Sequence, residues 1–287
     1  MHSARGKSII RKMFKSKFFI IGSILALFIV LLALAAPAIV SYDAEATSLS
    51  SRLLQPEFFS KGWTGHILGT DSLGRDILTR LLIGSRISLI IALVGVVIPS
   101  IIGTALGMIS GYSGGMIDSI LMRLNDIQLS IPVMVFAITV MAIFGNSIQN
   151  LLIVLVIVGW VNYTRVMREC VMGIRDTEFI KASRVLGGSN LHIIFTQILP
   201  NIVPPLIILM SQQVGMVILT EANLSFLGLG VPLPQPSWGS MIADGREYIA
   251  SAPWTVIAPG MALMTTVLAF NFLGDGIRDV LDPKNID

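Results

Sequence analysis

Six stretches of this chain are apolar for long enough to cross a lipid bilayer, and that constrains its fold more than any other feature. A hydrocarbon core about 30 Å thick takes roughly 20 helical residues to span, and unpaired backbone polar groups are so costly there that only helices or closed barrels cross it. The runs are 18–40, 87–109, 127–144, 148–161, 202–219 and 256–273. The fourth is short and borrows Asn162, Tyr163 and Thr164, with Trp160 and Tyr163 at the membrane interface. Composition agrees: charged residues are 13% of the chain, about half the soluble norm of roughly 25%, and the mean hydropathy is +0.80. The reading is an all-helical polytopic membrane protein.

Orientation follows from the basic residues, which stay preferentially on the cytoplasmic side. Arg5, Lys7, Arg11, Lys12, Lys15 and Lys17 precede the first run without an acid among them, so the N-terminus is placed inside. Six spans then place the C-terminus inside too. The first outer loop holds Arg52, Lys61, Arg75, Arg80 and Arg86 against the rule, but Asp43, Glu45, Glu57, Asp71 and Asp76 offset them. A basic tail, an apolar run and Ala33-Leu34-Ala35 also resemble a cleavable signal. The run is longer than a signal core and the rest of the chain is itself membrane, so a retained anchor is favoured. The net charge of +3 sits in the tail and reports topology and contact with membrane lipid, with no sign of nucleic acid. Cys170 is the single cysteine, so no disulfide forms within one chain.

Enzyme and metal readings fail on spacing. Gly6-Lys7-Ser8 matches the end of a phosphate-binding loop, but the glycine that loop needs five residues earlier is Met1. His2, His66 and His192 fall far apart and on different sides of the membrane, which leaves no metal cluster. No room remains for a nucleotide-binding domain, so this chain holds no cofactor, and energy from ATP must come from another subunit. Ion-coupled carriers need ionisable groups at mid-membrane, and the six runs contain none. Their polar exceptions are chiefly Ser211, Gln212 and Gln213 in the fifth, which either line a solvated pathway or bond neighbouring helices. In the second run Gly95, Pro99, Gly103, Gly107 and Gly111 recur every fourth residue. Such a ridge lets two helix backbones approach closely; a seam within the subunit is favoured over one against a partner. Pro99 should bend that span.

Between the fourth and fifth runs lies a polar island, EFIKASRVLGGSNLHIIFTQILP, at 178–200. Asp176 or Thr177 can cap a helix of about three turns with Glu178 at its positive end, and Gly187-Gly188 can end it. Phe179, Ala182 and Leu186 share one face, and Glu178, Lys181 and Arg184 another. Ser189 caps a second helix that stops before Pro200, where Pro200, Pro204 and Pro205 open the fifth span. An amphipathic helix on the inner face either rests on lipid headgroups or plugs into a soluble partner.

The order Ala182-Ser183, three residues, Gly187, and then Leu199-Pro200 resembles the coupling loop of ABC importer permeases, often called the EAA loop. Lys181 stands where the family name has glutamate and Gln197 where the general pattern has isoleucine, as in the peptide and nickel branch. Three more segments are similar to the C-type permease subunit of dipeptide, oligopeptide and nickel importers: GTDSLGRDILTRLLIGSRISL at 69–89, ANLSFLGLGVPLPQPSWGSMIADGREYI at 222–249 and NFLGDGIRDVLDP at 271–283. The resemblance implies a type I ABC importer transmembrane fold in a bacterial inner membrane. A tail, first helix and outer loop at 1–68 would precede a five-helix transport domain at 69–287, with its coupling loop at about 165–200. It also implies partners: a second, related permease, one or two ATPase subunits holding ATP and Mg, and an extracytoplasmic binding protein that delivers the peptide substrate. Glu178, Phe179, Lys181, Ala182, Ser183, Arg184, Leu186 and Gly187 would then form the ATPase-coupling loop. Nickel or metal-chelate uptake is the alternative within the family, and an ion-coupled carrier the alternative outside it.

Two outer segments carry further expectations. Asp76 or Thr70 should cap the helix after Gly74, with Arg75, Arg80 and Arg86 as a cationic face for lipid phosphate or for the binding protein. Pro232, Pro234 and Pro236 favour extended chain after Gly228 and Gly230, and Trp238 is expected at the interface. Leu227, Gly228, Leu229, Gly230 and Trp238 are therefore candidates for an outer gate or binding-protein contact, against a plain structural cap over the bundle.

Overall fold

The computed structural model describes residues 15–40, 43–59 and 65–281, and these fold into helices joined by turns, with one isolated bridge between Thr70 and Asp76. The basic residues up to Lys12, the Gly6-Lys7-Ser8 match, His2, Lys61 and the last two residues of the closing motif lie outside the described residues. The helices are α1 (Lys17–Ile39), α2 (Ile77–Ser113), α3 (Gly115–Leu129), α4 (Val133–Phe144), α5 (Ile148–Arg175), α6 (Glu178–Val185), α7 (Asn190–Ile193), α8 (Leu199–Phe226), α9 (Trp238–Gly245) and α10 (Trp254–Leu281).

Local chemistry starts several of them. Asp76 caps α2 by accepting the Thr79 amide at 2.8 Å, and Ser147 caps α5 by accepting that of Asn150 at 3.1 Å. The glycine ridge of α2 packs inside the subunit, as favoured. A Cβ on Gly103 would lie 2.5 Å from the Trp160 carbonyl, one on Gly107 2.7 Å from that of Thr164, and one on Gly111 2.8 Å from that of Arg168. Only glycine lets α2 and α5 approach so closely. Pro99 lies within an unbroken α2 and meets Gly159 of α5. In the same way, Gly22 seats α1 on α10, its Cβ position 2.4 Å from the Leu273 nitrogen.

Five helices are long and apolar enough to cross a membrane, and α3 with α4 would make a sixth span bent by 80°. The third run was expected as one span over 127–144. Pro132 breaks it, since proline supplies no N–H and steers Ile131 away from helical geometry. The spans also outrun their apolar cores: α5 continues to Arg175 and α8 to Phe226. Nor does the chain break before Pro200. A π turn at Ile194–Ile198 leads straight into α8, and Asn201 Nδ2 donates to the Gln197 carbonyl at 2.7 Å. The wider turn accommodates a proline that would collide with an ordinary helical carbonyl four residues back.

Candidate functional site

At one end of the bundle α5 projects beyond its apolar core and carries α6, two turns long rather than the three expected. Thr177 occupies the N-cap position, but its hydroxyl donates back to the Ile174 carbonyl at 2.6 Å, while Asp176 ends α5. Gly187 and Gly188 close the helix. The Gly188 amide donates to the Ser183 carbonyl (2.9 Å) and the Gly187 amide to that of Arg184 (3.0 Å), the paired bonds of a Schellman ending. Gly187 sits at φ +85°, open to glycine but costly for other residues.

The helix is mounted by one face and presents the other. Ile180 is fully buried beside Met167, Val171, Ile193 and Ile198. Ser183 Oγ accepts a 2.7 Å hydrogen bond from Gln197 Nε2, so the residue that departs from the general pattern fastens α6 to the π turn. Phe179, Ala182 and Leu186 are exposed, with Leu186 at 87%. Glu178 and Lys181 pair at 3.0 Å on the surface, and Arg184 lies over the Tyr112 ring at 5.1 Å. The expected docking face is therefore apolar and uncovered, on a helix whose opposite side is held in the core.

Two ion pairs brace α5 above this loop. Arg168 grips Asp118 of α3 through Nε and Nη2 at 2.5 and 2.6 Å, and Ser110 Oγ bonds the same carboxylate. Arg165 pairs with Asp126. Sequence reading missed this clamp because its members lie 50 residues apart. An arginine one helical turn from another was the only local signal.

At the opposite end α8 also finishes in a Schellman turn, with Leu229 N donating to the Leu224 carbonyl (2.8 Å) and Gly228 N to that of Ser225 (2.9 Å). Leu227 and Gly228 are exposed, Leu229 packs on the core, and Gly230 is buried where a Cβ would fall 1.7 Å from Ser225 Oγ. Trp238 was expected at the interface but is 3% exposed. Its indole nitrogen donates to the Leu81 carbonyl at 3.1 Å, and satisfying that donor inside the protein lets the ring bury.

The organising residue here is Glu221, also missed. Its run was bounded at 219, and the expectation of spans free of ionisable groups holds for that window, but α8 runs on and buries Glu221 at 1% exposure. Its Oε1 accepts from Ser225 Oγ (2.7 Å) and Ser237 Oγ (2.8 Å). The cationic face proposed for Arg75, Arg80 and Arg86 is likewise corrected. Arg75 and Arg80 are 3% and 1% exposed and pair with Asp71 and Asp244, because a buried guanidinium needs counter-charge. Thr70 is no cap either; its hydroxyl bonds the Ser51 carbonyl. Ser211 is buried and packed against Gly274 of α10, while its hydroxyl donates to the Ile208 carbonyl of its own helix. Gln212 also approaches Gly274, while Gln213 is half-buried.

Comparison with known proteins agrees with this geometry. The family described as binding-protein-dependent transport system inner membrane component matches residues 103–287, and the N-terminal transmembrane domain of oligopeptide transport permease C matches 5–56. The dipeptide transport system permease protein DppC of Alkalihalophilus pseudofirmus is 43% identical over 94% of this chain and 87% of its own length. That of Haemophilus influenzae is 38% identical over 92% and 90%. The oligopeptide transport system permease protein OppC of Bacillus subtilis is 37% identical over 94% and 86%. Among solved structures, the inward-facing MetNI methionine ABC transporter superimposes with a TM-score of 0.60 at 20% identity, covering 72% of this chain and 98% of that one, which shows a shared fold. The helical bundle and these matches lead to one conclusion: the chain belongs to the family of binding-protein-dependent transport system inner membrane components, as a multi-pass permease subunit of an ABC importer.

Proposed function

We propose that this subunit forms half of the pathway by which dipeptides or oligopeptides enter the cell, driven by ATP hydrolysis on separate subunits. The observation that carries the reading is α6, an apolar face left uncovered on a helix otherwise held in the core. A soluble ATPase with an apolar groove would cover that face, and any movement of the groove would pass through α5 into the bundle. Glu178, Phe179, Lys181, Ala182, Ser183, Arg184, Leu186 and Gly187 make up this element, within a transport domain taken as 69–287.

The full assembly pairs this chain with a second permease and one or two ATPases that bind ATP and Mg, and receives peptide from an extracytoplasmic binding protein. Leu227, Gly228, Leu229 and Gly230 are the outer gate, with Trp238 anchoring its far end. Gln213, facing away from the buried Ser211 side of α8, lines the pathway. The peptide names of the relatives support a peptide over nickel.

Proteoliposomes test this directly. The chain alone should neither move peptide nor hydrolyse ATP. The complex should do both, and its ATPase rate should rise with loaded binding protein, as for a ligand favouring one state of a two-state machine. Uptake by the chain alone under a proton gradient would restore the ion-coupled carrier.

A further inference from the structure

One groove on the outside of the bundle is unaccounted for by transport. It has a volume of about 390 Å³ and runs between α1 and α2, with Ala33, Leu89, Ala92, Val214 and Phe270 among its apolar lining and Arg86 as its one charged member. Ala33 and Ala92 are 4% and 2% exposed, so two small side chains leave the slot open where larger ones would fill it. Its rim is apolar and uncovered: Leu34 is 69% exposed, Ile90 55% and Leu93 62%.

Depth identifies what such a groove meets. Arg86 immediately precedes the apolar run of α2, on the side of the outer loop, which sets its guanidinium at headgroup level. From Arg86 to Leu93 the helix descends about 10 Å into the hydrocarbon. Arg75 and Arg80 are neutralised by Asp71 and Asp244, whereas Arg86 is exposed and makes no ion pair or hydrogen bond among the described residues. An unpaired arginine above a dry slot, at the boundary of the membrane, matches one ligand chemistry: a phosphodiester joined to an acyl chain. Guanidinium binds phosphate oxygens through paired N–H donors, and an acyl chain fills apolar space that water does not favour.

We propose that this groove is a binding site for a glycerophospholipid of the outward-facing leaflet, with the phosphate on Arg86 and one acyl chain between α1 and α2 over Ala33 and Ala92. The lipid would fix the angle between α1 and the rest of the bundle.

The test uses the purified, delipidated transporter complex titrated with dioleoyl phosphatidylglycerol and, separately, with dioleoylglycerol, which lacks the phosphate. Bound lipid is counted by native mass spectrometry. Wild type should bind the phospholipid at least about tenfold more tightly than the diacylglycerol, the factor expected of a charge-assisted contact. R86Q should bring the phospholipid down to the diacylglycerol level, and R86K should recover most of the difference. A33F, which fills the slot, should weaken both lipids. Unchanged phospholipid affinity in R86Q would overturn the headgroup contact, and an efficient disulfide between I90C and a cysteine of the second permease would show that a protein helix covers the groove instead.

Discussion

Glu221 Oε1, in the last turns of α8, accepts a 2.8 Å hydrogen bond from Ser237 Oγ, sixteen residues further along the chain. The same serine caps α9 by accepting the Ser240 amide at 3.0 Å. One carboxylate thus closes the loop between the end of a span and the helix that follows it, from a position without access to water. A buried polar group of this kind is stable only while its partners stay in place, so loop position and carboxylate satisfaction are linked.

E221A should leave both serine hydroxyls without their acceptor at a cost of about 1 to 3 kcal/mol for each buried group left unpaired. Amides at 227–237 should then exchange hydrogen faster in the assembled complex. E221Q keeps an acceptor oxygen and should exchange close to wild type. Equal exchange in wild type and E221A would remove the latch role.

At the other end, G187P should abolish transport and copurification with the ATPases while the chain still inserts. Proline cannot adopt the φ of +85° found there and loses the amide that bonds the Arg184 carbonyl. G187A is the milder case, since a Cβ there meets nothing within 4 Å, leaving only left-handed strain of about 1 to 2 kcal/mol. Normal uptake by G187P would exclude this turn from coupling.

A182D places a charge in the middle of the face assigned to the ATPase, where burial without a partner costs several kcal/mol. Uptake should collapse. K181A removes an exposed pair with Glu178, worth about 0 to 1 kcal/mol, and uptake should hardly change. Comparable losses in a transport assay would mean that the face is assigned wrongly.

D118A and R168A each break the clamp between α3 and α5 and should destabilise the subunit by about 1.5 to 3 kcal/mol, the range for charge-assisted bonds. The double variant should cost less than the two summed, which thermal unfolding of the complex can measure as a double-mutant cycle. Additive losses would mean that the two residues act independently.

Much of this protein was legible along the chain. Five of the six runs contain the cores of long helices, the glycines of α2 announced a close helix contact, and the apolar positions 179, 182 and 186 came out on one exposed face. Each rests on a local rule: enough apolar residues to cross a bilayer, small side chains every fourth position, or the 3.6-residue period. Gly187 belongs with them, since two adjacent glycines after a helical pattern mark a left-handed ending.

What sequence alone could not determine involves residues meeting from distant parts of the chain. Arg75, Arg80 and Arg86 read as one cationic face, yet two are buried because Asp71 and Asp244, the latter 169 residues from Arg75, are folded against them. Trp238 read as a membrane-interface residue until the Leu81 carbonyl, 157 residues away, supplied its acceptor. Glu221 drew no reading at all, because the apolar signal stops before the helix does. Apolar patterning decides which segments leave water, since that depends on each segment's own composition. Where a charge or an indole ends up depends on its partner, and only the packed bundle brings the partners together.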